Sequence, residues 1–394
     1  MTCRRLMLFL LLCLLLVFCV NGFAGTGVPI VIGESRQLHS VVLDEDRTYQ
    51  VFLPDSYAWA QGRHYPVLYV LDGKSHYAHT AASVDYLAAQ GEIPEMIVVA
   101  VASTNRVRDF TQTDWASHWV GGGGADNFMR FLSSELIPEV ERSYRTDGFR
   151  ILSGHSAGGQ FALHGLTSEP TLFKAYFALS PSLNWDDRLP QRSLQQALRA
   201  TGSLSAFLYV ARSDDAGQAL ADYEALVATL RDDSPHGFRW HAQAFPEETH
   251  GGMPLLAQID ALRSLYAGYH VHNDQLGEGL AAIEQRYRKV SEAMNWPMAV
   301  PEDVINRLGY VALGEGRTGD AIALFRRNVD ASPESANAWD SLADGYAASE
   351  QWSDAAHAAE QSLALATRYE LPNHEYFAGQ LKKMQGYLQQ PPAD

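Results

Sequence analysis

Arg150-Ile-Leu-Ser-Gly154-His155-Ser156-Ala157-Gly158-Gly159-Gln-Phe161-Ala-Leu-His-Gly-Leu166 passes from a short apolar, strand-like run straight into an apolar helical one, with a hinge of small residues between. The hinge fits G-x-S-x-G, the sharp strand-to-helix turn that lifts a Ser oxygen above the edge of a sheet. Glycines are expected around the Ser because such a turn leaves no room for side chains. A pentapeptide of this kind arises easily by composition, so the strand before it and the helix after it carry the weight.

Working outward, apolar runs at 48–53, 65–71, 96–102, 150–152, 175–179, 207–211 and 239–245 alternate with longer helical stretches. Within 127–144, Phe128, Phe131, Leu132, Leu136 and Val140 stand at helical spacing. This predicts an α/β fold, a mostly parallel sheet flanked by helices. After about residue 300 the strand signal ends and Ala-rich helical periodicity takes over. Leu308 recurs as Leu342, Ala321 as Ala355, Ile305 as Trp339 and Ala312 as Tyr346, each 34 residues on. With Gly309, Phe325 and Pro333, the spacing resembles a tetratricopeptide repeat of paired helices, closed by a helix from His374 to Leu388. So short an array is expected to pack on the α/β part, with 275–294 as the coupling helix.

The first residues differ from the rest. Arg4 and Arg5 precede the apolar run 6–20, and Gly22-Phe23-Ala24 supplies small residues at a cleavage point, so residues 1–24 read as a secretory signal peptide. An apolar run of about 15 residues is short of the ~20 that cross a bilayer. Cys3, Cys13 and Cys19 all lie there, leaving no thiol from Gly25 onward for a disulfide, a zinc site or a nucleophile. The expected organisation is a signal peptide at 1–24, an α/β domain at 25–268, a connecting helix at 269–300 and helical repeats at 301–394, in a periplasmic or secreted protein. Composition agrees with a folded chain: 394 residues, 46% hydrophobic, can bury a core. Thirty Lys plus Arg against 46 Asp plus Glu give a net charge of -16, which argues against nucleic acid as a partner.

A Ser hydroxyl needs a base to take its proton, and after such a turn the acid and then the base follow in chain order. His250, in Pro246-Glu247-Glu248-Thr249-His250-Gly251-Gly252 after the last strand-like run, stands where the base is expected. Asp214, at the end of the preceding run, is the first choice for the carboxylate that orients it; Asp215 and Glu248 are alternatives. An oxyanion would be held by the N–H groups of Ala157 and of Lys74 in Leu71-Asp72-Gly73-Lys74, where Gly73 lets the chain turn. Trp119 and Trp185, with Trp115, fall in loops near the expected rim, where they would either stack on a substrate or pack. His76 and His79 have helical spacing but no accompanying carboxylate motif, and 121–124 lacks the Lys-Ser/Thr of a phosphate loop. No metal and no cofactor are expected.

Together, Tyr69-Val-Leu-Asp72-Gly73, Asn105-Arg-Val-Arg108-Asp109-Phe-Thr111, Gly154-His-Ser156-Ala-Gly-Gly159, Ser180-Pro-Ser182 and Glu247-Glu-Thr-His250-Gly251 resemble the signature blocks of the esterase family of α/β-hydrolases, in family order from about 40 to 268. That family includes siderophore esterases, S-formylglutathione hydrolases, feruloyl esterases and mycolyltransferases; the siderophore-esterase-like branch, some of whose members carry a tetratricopeptide tail, looks most similar. The resemblance implies an α/β-hydrolase fold, Ser156 as nucleophile and His250 as base, and leaves the acid open. Lys74 and Gln112 depart from the pattern at the mouth, where Arg106, Arg108 and Lys74 would offset the acidic surface for an anionic substrate. The expected activity is hydrolysis of a small-molecule ester through an acyl-enzyme. The alternatives are acyl transfer on the same machinery and a non-catalytic scaffold. The repeats would serve a protein partner or stabilise the flank.

Overall fold

A computed structural model describes residues 29–118 and 121–388. The signal-peptide reading of 1–24 and Trp119 lie outside the described residues. Residues 1–32 and 33–394 are separate units, and every strand and helix named below belongs to the second.

Eight strands form one sheet: β1 (Glu34–Ser40), β2 (Glu45–Phe52), β3 (Tyr65–Val70), β4 (Ile97–Val101), β5 (Thr146–His155), β6 (Ala175–Leu179), β7 (Phe207–Arg212) and β8 (Arg239–Ala244). Their order is β1-β2-β4-β3-β5-β6-β7-β8. From β4 to β8 every pairing is parallel, with Tyr69 opposite Leu152, Ile151 opposite Ala175 and Phe207 opposite Arg239; β2 joins β4 and β1 joins β2 antiparallel. Chain order turns back between β3 and β5, the switch point where the loops leaving the strands part and make a crevice.

Seven of the eight strands stand where the apolar runs predicted them, and in the middle of the sheet both faces are buried. In β3, Tyr65, Val67 and Tyr69 point to one core while Leu68 and Val70 point to the other. The first core is closed by α2 (Arg106–Phe110), α3 (Ala125–Phe131), α4 (Ile137–Ser143), α5 (Ala157–Ser168), α6 (Trp185–Ala200) and α7 (Gly217–Asp233); the second by α1 (Gly73–Ala89) and α8 (Met253–Leu265). The helical pattern of 127–144 is realised as α3 and α4 joined through a π turn at Leu132–Leu136.

The second core continues beyond the sheet. The coupling stretch is a 3-10 turn at Asn273–Glu278, a break at Gly279 (φ 82°) and then α9 (Leu280–Met294). Ile283, Tyr287 and Met294 of α9, and Val304, Ile305 and Leu308 of α10 (Glu302–Gly314), share one apolar cluster with Phe149 and Tyr266. The remaining helices are α11 (Thr318–Ala331), α12 (Ala336–Ala348), α13 (Trp352–Arg368) and α14 (His374–Leu388). Helices α10 and α11 approach closely at Gly309, where a Cβ would lie 2.3 Å from the Phe325 ring. Among the described residues no helix is long and apolar enough to cross a membrane.

Candidate active site

β5 ends at His155 and α5 begins at Ala157, so Ser156 takes the turn alone. It does so at φ 59° and ψ -117°, a conformation that costs a non-glycine residue roughly 1–3 kcal/mol. The fold fixes it from both sides: the Ser156 N–H donates to the Leu179 carbonyl (2.9 Å) and the Ser182 N–H donates to the Ser156 carbonyl (3.1 Å). Gly154 is what makes the turn sterically feasible. A Cβ there would sit 2.2 Å from the Gly158 carbonyl oxygen, and backbone at that range has nowhere to go.

Ser156 and His250 line one cavity of about 260 Å³ at the strand ends, together with Ser180, Ser182, Arg212, Asp215 and Asp222. Ser156 is half-buried and His250 exposed. Ser182 Oγ lies 3.4 Å from Ser156 Oγ. His250 Nδ1 lies 3.0 Å from Ser180 Oγ, and Ser180 Oγ in turn lies 3.5 Å from Asp215 Oδ2. Asp215 Oδ2 also accepts from the Ser213 N–H (3.1 Å).

The carboxylates expected near the base are therefore sorted by the structure. Asp214 is exposed and is tied through its N–H to the Glu248 carbonyl (2.9 Å), outside the cavity. Glu248 directs its carboxylate toward Gly252, 3.4 Å from where a Cβ would stand. Asp215 is the one of the three that lines the cavity.

On the far side of Ser156 the loop after β3 approaches α5, with Leu71 Cβ 3.5 Å from where a Gly158 Cβ would stand. The turn there is made by Asp72 (φ 54°), not by Gly73 as expected. Gly73 is needed for a different reason: its Cβ would lie 2.8 Å from the Ala100 backbone. Arg106 holds the loop, donating to both Asp72 oxygens at 3.0 Å and to the His155 carbonyl at 3.4 Å. The N–H groups of Ala157 and Lys74 belong to the first turns of α5 and α1, where a helix has no acceptor of its own to offer.

Behind His250 runs a file of imidazoles. The His155 ring lies 4.5 Å from that of His250, tilted by 43°, His76 stands 5.7 Å from His155, and His76 Nδ1 is 3.0 Å from His79 Nε2. Burial pushes His155 down to about 3, helped by the neighbouring His250, and His79 down to about 4; His76 is lowered by burial too. His76, His79 and His155 are thus held in the neutral form at pH 7 and act as packing rather than charge. Among the described residues no group of three or more His, Cys, Asp or Glu could hold a metal.

The structure does not bring Trp185 or Arg108 to the cavity. Trp185 is buried, its Nε1–H donating to Thr113 Oγ1 (3.1 Å) and its ring packed edge-on to Trp115. Arg108 is engaged by Glu45 and Asp109, both at 2.7 Å. Sequence reasoning in turn passes over Ser180, Ser182 and Arg212 as site residues, although Ser180-Pro-Ser182 stands out as a block at the end of a strand.

Known proteins share sequence and fold with this chain. Residues 40–234 match the family model described as "Putative esterase". Ferri-bacillibactin esterase BesA of Bacillus subtilis is 32% identical over 189 residues, 42% of this chain and 62% of that protein. The chain spans less than two thirds of the length of the curated relatives it matches. Among solved structures, an IroE-like serine hydrolase from Shewanella oneidensis superposes with a TM-score of 0.66 at 27% identity, covering 72% of this chain and 95% of that one. An uncharacterised protein from Capnocytophaga ochracea covers 90% of this chain and 99% of its own at a TM-score of 0.60; at 17% identity that likeness shows the fold alone. Over residues 40–234 the chain is thus similar to esterases, and its sheet to that of an IroE-like serine hydrolase.

Proposed function

We propose that the chain is a serine carboxylic-ester hydrolase acting through an acyl-enzyme. The observation that carries this is Ser156, held at positive φ on the strand-to-helix turn inside the esterase-matched span, with His250 lining the same cavity. Ser156 Oγ attacks the ester carbonyl carbon as its proton passes to His250 Nε2. The N–H groups of Ala157 and Lys74 hold the oxyanion. As the bond from carbon to the leaving oxygen breaks, His250 returns the proton to that oxygen. Water, activated by the same imidazole, then releases the acid and restores Ser156. The exposure of His250 favours hydrolysis over transfer, since acyl transfer to another alcohol requires water to be kept out.

For substrate we propose an ester-linked siderophore, on the strength of the relatives named siderophore esterases. The same reading takes 1–24 as a signal peptide directing export, 25–268 as the hydrolase domain, 269–300 as the connector and 301–394 as tetratricopeptide-like repeats. The 34-residue spacing and the Gly309–Phe325 contact support the last, and the apolar cluster shared by α9, α10 and Phe149 supports a stabilising role for the tail.

The test is turnover of a chromogenic short-chain ester and of a trilactone siderophore by Ser156→Ala and His250→Ala. Both are expected to lose about 10^4-fold or more in kcat. Near-wild-type turnover by either would overturn the proposal.

A further inference from the structure

We infer that Ser180 is a positioning residue: its hydroxyl joins His250 to Asp215, so that the carboxylate fixes the imidazole at one remove, through a third side chain. This rests on the hydrolase reading above and assigns the orienting role that the sequence left open among three carboxylates.

The geometry allows one direction of donation that suits a base. With Nδ1 protonated, His250 donates to Ser180 Oγ across 3.0 Å, and the Ser180 O–H donates onward to Asp215 Oδ2 across 3.5 Å. That leaves Nε2 as an acceptor, the state in which an imidazole can take a proton from Ser156. When it does, the imidazolium gains a charge whose stabilising carboxylate is relayed through the hydroxyl. Asp215 is fixed for this task by the Ser213 N–H (3.1 Å), and it lines the same cavity as His250.

Ser180 itself is placed at a cost. It is 5% exposed, stands at φ 41° and precedes Pro181, and its N–H donates to the Ala211 carbonyl at 2.9 Å. Proline disfavours a helical conformation in the residue before it, and glycine suits a positive φ far better than serine. The backbone alone would be better served by glycine; the hydroxyl explains why serine stands there.

Ser180→Gly separates the two roles, because it removes the hydroxyl while suiting the backbone. Steady-state kinetics on the chromogenic ester are expected to show kcat lowered about tenfold to a hundredfold, the range for a hydrogen bond to a charged group, with KM changed by less than about threefold. The melting temperature is expected to stay level or rise. Asp215→Asn is expected to lower kcat in the wild-type background, yet to add less than about threefold in the Ser180→Gly background, because the link is already cut. Wild-type kcat in Ser180→Gly would overturn the inference, as would a loss from Asp215→Asn that is equally large in both backgrounds. Ser156→Ala measured in the same assay tells the two proposals apart. If it is inactive while Ser180→Gly is unimpaired, the relay alone fails. If it keeps turnover, the hydrolase reading fails and the relay with it.

Discussion

At the rim of the sheet, His76, His79 and His155 are half-buried and held in the neutral state; in the helical tail, Asp340 on α12 is buried with its carboxyl pushed up to about 6 by burial and by the nearby Asp344. Both regions bury a titratable group at the expense of its charged form, but the shifts run in opposite directions, down for the imidazoles and up for the carboxyl. Both also use a glycine to bring two segments together: Gly154 against the Gly158 backbone at the rim, Gly309 against the Phe325 ring in the tail. What sets the rim apart is that its close approach forces a hydroxyl-bearing side chain into a strained turn at Ser156, whereas the tail's close approach brings only apolar surfaces together. One device presents a hydroxyl in the first case and packs apolar surface in the second.

The comparison can be broken most severely at the glycines. Gly154→Ala puts a methyl 2.2 Å from a backbone oxygen, so the turn must open. A loss of about 4 kcal/mol in urea unfolding, with activity gone, is expected. Acid is the next lever. The unfolded chain protonates its histidines near pH 6.5 while His155 and His79 resist to about 3 and about 4, so the rim's stability is present above 6.5 and is lost as pH falls through that window. Hydrogen exchange, corrected for intrinsic rates, should show the segments around Ser156 and His79 losing about 2 kcal/mol of protection between pH 6.5 and 4.5. The tail should do the reverse. A folded Asp340 near 6 against an ordinary 3.8 means that the folded state holds the extra proton, so α12 loses protection as pH rises from 4 to 6. The same direction in both regions would refute the contrast.

Smaller effects sharpen it. Gly309→Ala must displace the fully buried Phe325 ring, which costs about 1–2 kcal/mol in unfolding while leaving kcat unchanged, because the clash meets a side chain rather than backbone. Asp340→Asn keeps the shape and the acceptor for Tyr376 (3.3 Å) and removes the buried charge. It is expected to stabilise the protein by about 1 kcal/mol at pH 7 and to flatten the tail's response between pH 4 and 6.

Much of this was legible in the residues. Strands β3 to β7 announced themselves because a sheet buried on both faces writes apolar runs, while β2 and β8 showed only shorter apolar stretches; β1, Glu34-Ser-Arg-Gln-Leu-His-Ser40, is an edge strand of polar residues and gave no such signal. Ser156 and His250 could be singled out because a motif and a chain order mark them. Asp215 could not be preferred over its neighbour, since the choice depends on which way two adjacent side chains leave a turn. Nor could the fates of Trp185 and Arg108 be read, because Thr113 and Glu45, which claim them, lie far off in the chain. The division of labour at Asp72 and Gly73 depends on a backbone dihedral and a close contact with Ala100, neither of which composition encodes.

Strand β5 separates two jobs by its length. Phe149, near its start, meets Trp296 beside the helical annex, and His155, at its finish, adjoins Ser156 and meets His250, a span of about 20 Å. A surface, a bead or a fused reporter attached at the exposed Leu388 would accordingly grip the molecule by its handle and leave the mouth open to whatever diffuses in.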